Sequence, residues 1–295
     1  MNKDRSHFLV IGAMKAASSS LFDDLCIHPE VFKPIEKEPH ILVDGPVDVI
    51  KEKYHKFFDQ APKGALCGEA STGYSKSMTY PDVPNLAMQV FGADLKIIYI
   101  IRNPLDRAIS HHRYLYTRYK DRDVDFNNDY RRGEYLDYGL YGKQIKLWSN
   151  VFGSEGIRVV TFDRYLRERQ SCYDDLCEFL NIPSIELTVN TVSNVTADLA
   201  TLPPFIQRRT EGALYKNIIR PMLVREGAEN KSYLGWLRKR LRKSQNIQFP
   251  AVSEAVAREL WKEFEPDIAT LGQWLDAEDL EYVKGWSCDS ASSIA

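Results

Sequence analysis

The fold of this chain is decided by the stretch Ile11-Gly12-Ala13-Met14-Lys15-Ala16-Ala17-Ser18-Ser19-Ser20-Leu21. The apolar run from Phe8 to Ile11 predicts a buried strand, and a helical pattern resumes at Leu21. A turn of small residues with one lysine and three serines joins them. The N-terminus of a helix attracts anions through its unpaired N–H groups and its macrodipole. The stretch therefore predicts an anion site to which Lys15 adds a charge and the serines add hydroxyl donors.

This loop is not a Walker A loop, because the spacing Gly-x-x-x-x-Gly-Lys-Ser/Thr is absent and the lysine precedes the serines. Taken alone, a loop of small residues with one lysine is equally compatible with an ordinary turn. A second segment favours the anion site.

That segment runs from Leu95 to Ser110. Leu95 to Ile101 is a continuous apolar, β-branched run, which is typical of a strand buried on both faces of a parallel sheet. Arg102 follows at the carboxyl end of the strand, where ligands of open α/β sheets bind. Pro104 is well placed to begin a helix. Arg102 can therefore reach a ligand phosphate, although a surface ion pair is the alternative role for an arginine in this position.

Together the two segments resemble the sulfotransferases that use 3′-phosphoadenosine 5′-phosphosulfate (PAPS). The first is similar to that family's 5′-phosphosulfate loop, usually Gly-x-x-Lys-x-Gly-Thr-Thr. The second is similar to its 3′-phosphate motif, an arginine that ends a strand and a serine eight residues later. The resemblance implies an α/β fold in which helices flank a central parallel β-sheet around a P-loop-like nucleotide-binding core. It assigns donor binding to Lys15, Ala16, Ala17, Ser18, Ser19, Ser20, Arg102, Ser110 and, by a weaker match, Lys243.

The loop departs from the family pattern at Ala17, where glycine is usual, and at Ser18 and Ser19, where threonine is usual. Serine keeps the hydroxyl group, so these two changes are compatible with phosphate binding. Alanine is unfavourable at position 17 if the backbone there needs a positive φ.

The resemblance also supplies candidate bases in Glu36-Lys37-Glu38-Pro39-His40. Carbohydrate sulfotransferases carry a Glu-x-His pair in this stretch, which makes Glu38 the expected general base and His40 a supporting or alternative one. Lys15 is expected to stabilise the bridging oxygen of the leaving phosphate. Without the resemblance, the run is more typical of a solvated charged loop.

A further carboxylate, Glu69, lies in the apolar segment from Ala65 to Tyr74, which predicts a strand ending in a loop of small residues. Glu69 is the second candidate base, and its alternative role is to orient Lys15 or Arg102 as a buried ion-pair partner. Many relatives have lysine where this chain has Ala70, so another residue must supply that contact.

The composition is that of a soluble enzyme. The formal net charge is −2, which gives no argument for nucleic acid as a partner. The five cysteines lack metal-ligand spacing, and no metal is expected; Cys172 and Cys177 share a helical pattern typical of core positions. Cysteine usage and the lack of a signal peptide or of a membrane-spanning run predict a cytoplasmic location.

We expect a single domain over residues 1–295 with a basic helical insertion or lid at about 203–249, since basic residues predominate from Arg208 to Lys243. The segment 234–243 has leucines on one helical face and basic residues opposite. It is compatible with an exposed helix packed by its leucines, a lid over the donor, a groove for an acidic glycan, or peripheral contact with an anionic membrane.

The expected activity is transfer of the sulfuryl group from PAPS to an acceptor hydroxyl (EC 2.8.2), which leaves 3′-phosphoadenosine 5′-phosphate (PAP). The resemblance of the Glu38 segment favours a carbohydrate or glycolipid acceptor, and a small alcohol, a phenol or a natural product is the alternative. A P-loop nucleotide kinase and a non-catalytic anion-binding relative are the other hypotheses.

Overall fold

The structure, a computed structural model, describes residues 6–118, 125–131, 133–187 and 252–289. Within these residues, five strands form one parallel sheet, and their ranges are β1 (His7–Gly12), β2 (Val31–Phe32), β3 (Leu66–Ala70), β4 (Lys96–Ile101) and β5 (Ile157–Thr161). Their order in the sheet is β2-β3-β1-β4-β5, so β1 is central. The predicted α/β fold with a central parallel sheet is confirmed.

Helices connect the strands, as parallel pairing requires. The described α-helices are α1 (Ser18–Leu25), α2 (Val47–Phe57), α3 (Val83–Phe91), α4 (Pro104–Arg118), α5 (Phe126–Asp129), α6 (Gly133–Leu136), α7 (Tyr141–Phe152), α8 (Phe162–Arg167), α9 (Arg169–Phe179), α10 (Glu254–Ile268) and α11 (Ala277–Lys284). Short 3₁₀ turns occupy Ile41–Val43, Thr72–Ser75, Asp137–Gly139, Ser154–Gly156 and Leu271–Gln273.

The two strands with the longest apolar runs lie at the centre of the sheet. Every residue of β1 is buried, and in β4 the residues from Ile97 to Ile101 have no exposed surface. Burial on both faces explains why these runs lack an alternating pattern. Beyond the carboxyl ends, the N–H of Ala13 donates to the carbonyl of Ile100 (2.6 Å), and the N–H of Ser71 donates to that of Val10 (3.1 Å). The loops after β1 and β3 and the end of β4 therefore lie at one edge of the sheet.

Several helices begin or end elsewhere than the sequence predicts. The helical pattern after the first loop was predicted from Leu21, whereas α1 starts at Ser18, because the serines already have helical backbone geometry. Apolar residues recur at helical spacing through the segment that begins near Ser253, which predicts a helix to about Leu275. This prediction is wrong at its end. Helix α10 stops at Ile268, and Leu271 lies in a separate 3₁₀ turn, buried in the core nonetheless.

Side chains of the C-terminal segment anchor the carboxyl end of β5. The Asp279 carboxylate, at the start of α11, accepts hydrogen bonds from the Thr161 N–H and Thr161 Oγ1, both at 2.6 Å. It also pairs with the Arg164 guanidinium at 3.1 Å. Nearby, Asn103 Nδ2 donates to the carbonyl of Ser287 (3.1 Å), and Trp286 Nε1 donates to Asp163 (3.1 Å). These contacts fix the residues that follow both β4 and β5.

All the described strands belong to one compact unit; of the second unit, residues 114–123 and 194–249, only residues 114–118 are described. The predicted insertion at about 203–249, with its basic segment 234–243, lies outside the described residues. Cys172 and Cys177 are buried and unpaired, as expected for core positions. Over the described ranges, we find no helix with the length and apolar character needed to span a bilayer.

Candidate active site

The loop after β1 owes its shape to backbone conformation. Lys15 (φ 73°) and Ala17 (φ 66°) both adopt left-handed conformations, and Ala17 precedes the first residue of α1. No side chain caps the helix N-terminus. A positive φ at position 17 is the condition under which glycine is preferred, so the alanine found here is strained relative to the glycine usual in the family.

The structure brings the two predicted donor segments together. Arg102 Nη1 lies 3.5 Å from the carbonyl oxygen of Lys15, although the residues are 87 positions apart. The guanidinium also lies over the ring of Phe162, the first residue of α8, at 4.7 Å from its centroid. It forms no ion pair within the described part of the chain, so the alternative role of Arg102 in a surface ion pair is not seen.

The charges around Lys15 favour the binding of an anion. Burial lowers the pKa of Lys15, and repulsion by the Arg102 guanidinium lowers it further, while the Glu38 carboxylate opposes both. The lowered pKa shows that the two cations repel each other. A phosphate or sulfate group would relieve this repulsion, which is a physical reason for anion binding at this edge.

The remaining predicted donor residues are placed as follows. Ala16, Ser18 and Ser20 are buried, and Ser19 is half-buried, all in the loop or the first turn of α1. Ser110 lies on α4, two turns after its first residue, and is 9% exposed. Lys243 lies outside the described residues.

The Glu38–His40 pair lies in a loop that also faces this edge. Both residues have positive φ (49° and 51°), and His40 Nε2 lies 3.6 Å from Glu38 Oε2. Thr72 Oγ1 donates to the same oxygen at 3.4 Å, and the N–H of His40 donates to Ser71 Oγ at 3.1 Å. The Glu38 side chain is 42% exposed and that of His40 is 39% exposed, so both can contact a substrate.

Interactions that favour the ionised form lower the pKa of Glu38, the strongest being that with the neighbouring His40 imidazole. The Lys76 ammonium and Thr72 contribute in the same direction, and burial opposes them. Glu38 is therefore a carboxylate at neutral pH, as a group that accepts a proton must be.

Glu69 has a different environment. It is 1% exposed, at the end of β3, and three hydroxyl groups surround it. Tyr54 and Tyr74 both donate to Oε1, the latter at 2.6 Å, and Ser71 donates to Oε2 at 2.9 Å. Burial raises the pKa of Glu69, against the effect of these hydrogen bonds. The expected alternative role in orienting Lys15 or Arg102 is not what the structure shows, because these hydroxyl groups are the partners of Glu69.

Lys76 was not identified from the sequence as a site residue. It follows the 3₁₀ turn Thr72–Ser75, and its Nζ lies 3.6 Å from Met14 Sδ, in the donor loop. The ammonium also lies 4.9 Å from the centroid of the Tyr138 ring. The only local signal was a lysine a few residues after the strand that carries Glu69, which is too common a pattern to single out.

The described residues contain no group of three or more His, Cys, Asp or Glu side chains arranged to hold a metal ion. The arrangement at the carboxyl ends of β1, β3 and β4 is instead a pair of cations, a helix N-terminus and an accessible carboxylate with a histidine beside it. This combination can hold a doubly anionic ligand on one side and take a proton from a hydroxyl group on the other.

Comparisons with known proteins find similarity to sulfotransferases. The family model described as "Sulfotransferase domain" matches residues 74–198. A sulfotransferase crystal structure from Alicyclobacillus acidocaldarius superimposes with a TM-score of 0.54 and 25% identity, covering 79% of this chain and 99% of that one. The chain is similar to sulfotransferases in both sequence and fold.

Curated sulfotransferases are similar in sequence as well. Mouse heparan sulfate glucosamine 3-O-sulfotransferase 3B1 is 23% identical over 75% of this chain and 60% of its own length. Human sulfotransferase 2B1 is 24% identical over 43% of this chain and 38% of its own length. The chain thus spans less than two thirds of these relatives. The predicted P-loop-like sulfotransferase fold is confirmed.

Proposed function

We propose that this protein transfers the sulfuryl group of PAPS to a hydroxyl group of a carbohydrate. The observation that carries the proposal is the approach of the Arg102 guanidinium to the Lys15 loop (3.5 Å), with the Glu38–His40 pair at the same edge of the sheet. Similarity to sulfotransferases supports the type of reaction.

The donor is a substrate with negative groups at two ends, and the site offers a cation for each. Arg102 suits the 3′-phosphate, because its planar guanidinium can donate two parallel hydrogen bonds and Phe162 holds its plane. Lys15 and the N-terminus of α1 suit the 5′-phosphosulfate. Ser110 and the serines of the loop add hydroxyl donors nearby.

Transfer breaks the bond between sulfur and the bridging oxygen and forms a bond from sulfur to the acceptor oxygen. Glu38 takes the proton of the acceptor hydroxyl, and Lys15 stabilises the charge that develops on the leaving phosphate of PAP. His40 holds Glu38 in its ionised form and in position. Positioning and charge stabilisation supply most of the catalysis, as in phosphoryl transfer.

The proposal of a carbohydrate acceptor is supported by the similarity to heparan sulfate 3-O-sulfotransferases over three quarters of this chain. It is also supported by the exposure of Glu38 and His40, which leaves the base accessible to a large acceptor. A small alcohol or phenol would react by the same steps.

The first test measures the binding of PAP, ATP and GTP, with and without Mg²⁺, by the thermal shift that each nucleotide produces. We expect PAP to stabilise the protein without Mg²⁺, and Lys15→Ala and Arg102→Ala each to weaken PAP binding by roughly 10- to 100-fold, the usual scale for a charged hydrogen bond. Lys56→Ala and Arg258→Ala are the matched controls, since both side chains lie in exposed ion pairs.

The second test is transfer of labelled sulfate from PAPS to a panel of glycans, alcohols and phenols. We expect incorporation into glycans and its loss in Lys15→Ala and Arg102→Ala. Stabilisation by ATP alone, and only with Mg²⁺, would instead support a kinase. PAP binding without transfer to any acceptor would support a non-catalytic relative.

A further inference from the structure

Lys76 has the surroundings of a residue that binds a negative group of a ligand. Its ammonium lies between the Met14 thioether (3.6 Å) and the face of the Tyr138 ring (4.9 Å to the centroid). Neither neighbour carries a negative charge that would neutralise it. Among the residues that the structure describes, no carboxylate forms an ion pair with Lys76. A partly buried ammonium without such a partner is costly, which points to a partner that arrives with the substrate.

The charged groups that act on Lys76 come from three elements. The carboxylates of Glu38 and Glu134 attract it, and the buried guanidinium of Arg107 repels it. Burial is the largest influence, and it lowers the pKa of Lys76. Since the nearest negative groups act only at longer range, an anion placed against the ammonium would gain a direct charge-assisted hydrogen bond.

Hydrogen bonds fix the backbone around Lys76, so its side chain extends from a rigid segment. The N–H of Lys76 donates to the carbonyl of Gly73 (3.2 Å), and the carbonyl of Lys76 accepts from Thr79 (2.9 Å) and Tyr80 (2.8 Å). Thr79 Oγ1 in turn hydrogen-bonds the Tyr138 hydroxyl (3.1 Å), which holds the ring under the ammonium. The backbone of this segment then loses little conformational entropy on binding.

The position of Lys76 relates it to the acceptor. Met14 is adjacent to Lys15 in the donor loop, and Glu38 interacts electrostatically with both Lys15 and Lys76. Lys76 therefore lies on the side of the site where the acceptor hydroxyl must meet Glu38. An acceptor that carries a negative group near its reacting hydroxyl could contact Glu38 and Lys76 together.

We propose that Lys76 binds an anionic group of the acceptor, a carboxylate or a sulfate ester, and so makes the enzyme select acidic over neutral glycans. This inference rests on the proposed sulfotransferase function and names its substrate class. Lys76 is a specificity-determining residue in this account, and Glu38 still takes the proton.

The test compares two forms of one oligosaccharide, one with uronic acid carboxylates and one with these groups reduced to alcohols. Transfer from PAPS is measured for the parent protein, Lys76→Met, Lys76→Arg and the control Lys56→Met, which removes an exposed lysine. We expect Lys76→Met to lower the ratio of acidic to neutral kcat/KM by about 10- to 100-fold, mainly through KM of the acidic acceptor. Lys76→Arg should retain part of the preference, and Lys56→Met should keep the parent ratio.

Direct binding separates this inference from the proposed function. Affinity for the acidic oligosaccharide is measured with PAP present, and affinity for PAP is measured alone. We expect Lys76→Met to lose affinity for the acidic oligosaccharide and to keep that for PAP. Equal affinity of the parent and of Lys76→Met for the acidic oligosaccharide would overturn the role of Lys76. So would an unchanged ratio of acidic to neutral kcat/KM. Neither result would affect the proposed sulfotransferase function. Weaker PAP binding in Lys76→Met with equal losses on both acceptors would assign Lys76 to the donor, and absence of PAP binding in the parent would refute the proposed function.

Discussion

The two sides of the site are constructed differently. The donor side, meaning the Lys15 loop with Arg102, depends on backbone shape and on two cations that follow adjacent strands. The acceptor side, meaning Glu38, His40, Glu69 and Lys76, depends on side-chain contacts among separate segments. A site held by the backbone tolerates exchange of similar side chains, such as serine for threonine. A site held by side chains does not, so conservative substitutions should have their largest effects on the acceptor side.

Within the acceptor side, the two candidate bases illustrate what environment does to one chemical group. Glu38 is half-exposed and its pKa is lowered, whereas Glu69 is buried and its pKa is raised. Three hydroxyl groups already occupy the oxygens of Glu69. We infer that Glu38 performs the proton transfer and that Glu69 holds β3, α2 and the 3₁₀ turn after β3 together.

Among conservative substitutions, the largest expected effect is that of Glu38→Gln. Loss of the base should reduce kcat by roughly 10²- to 10⁴-fold, while PAP affinity stays near the parent value, because Arg102 and Lys15 are intact. The measurement is steady-state transfer together with PAP titration. Full activity in this variant would assign the base to His40 or Glu69 and would contradict the division of roles between Glu38 and Glu69.

Glu69→Ala should act mainly on stability. The change leaves the hydroxyl groups of Tyr54, Tyr74 and Ser71 without their common acceptor and opens a cavity, so the free energy of unfolding should fall by about 2–4 kcal/mol. Denaturant unfolding measures the change. Glu38→Ala, at a half-exposed position, is the control, and an equal loss in both variants would contradict the structural role of Glu69.

The pH dependence of stability gives a finer test. Because the pKa of Glu69 is raised on folding, its contribution is fully present below the unfolded value of about 4.5 and is lost as the pH rises through the folded value. Glu69→Gln removes this titration and keeps an acceptor oxygen for the tyrosines. Relative to the parent, the variant should become more stable as the pH rises from below 4.5 to neutrality, as measured by urea unfolding at each pH. If the difference in the free energy of unfolding between the variant and the parent is the same at every pH, folding does not raise the pKa of Glu69.

The smallest effect is expected for a conservative change in the donor loop. Ala17→Gly should raise the free energy of unfolding by about 0.5–1 kcal/mol, because glycine adopts the left-handed conformation without steric cost. Ala16→Gly is the matched control and should destabilise, since Ala16 is buried and does not have a positive φ. If both variants are destabilised alike, the strain assigned to Ala17 is absent.

The sequence predicted the sheet and the approach of Arg102 to the Lys15 loop, for identifiable reasons. β1 and β4 are buried on both faces, so their apolar runs are continuous and easy to recognise. Lys15 and Arg102 directly follow these strands, and parallel neighbours place their carboxyl ends together. A local pattern was therefore sufficient to anticipate a contact between residues 87 positions apart.

The acceptor side was only partly predictable. Glu69 was recognised as a charge in an apolar segment, but its contact with Tyr54 joins β3 to α2 and leaves no trace in local spacing. Lys76 depends on the positions of Met14 and Tyr138, which come from distant segments. The end of the last long helix was also missed, because buried Leu271 continues the apolar spacing after the backbone has left the α-helix.

The hydrogen bonds of Asp279 with Thr161 join residues 118 positions apart. During synthesis, β5 and the residues after β4 must leave the ribosome long before these partners are made, so the ligand-binding edge stays incomplete in the nascent chain. Donor binding should therefore become tight only after α11 has been translated. Fragments that stop before α11 would retain the sheet's apolar strands without the contacts that fix its carboxyl edge, and we expect them to be prone to aggregation.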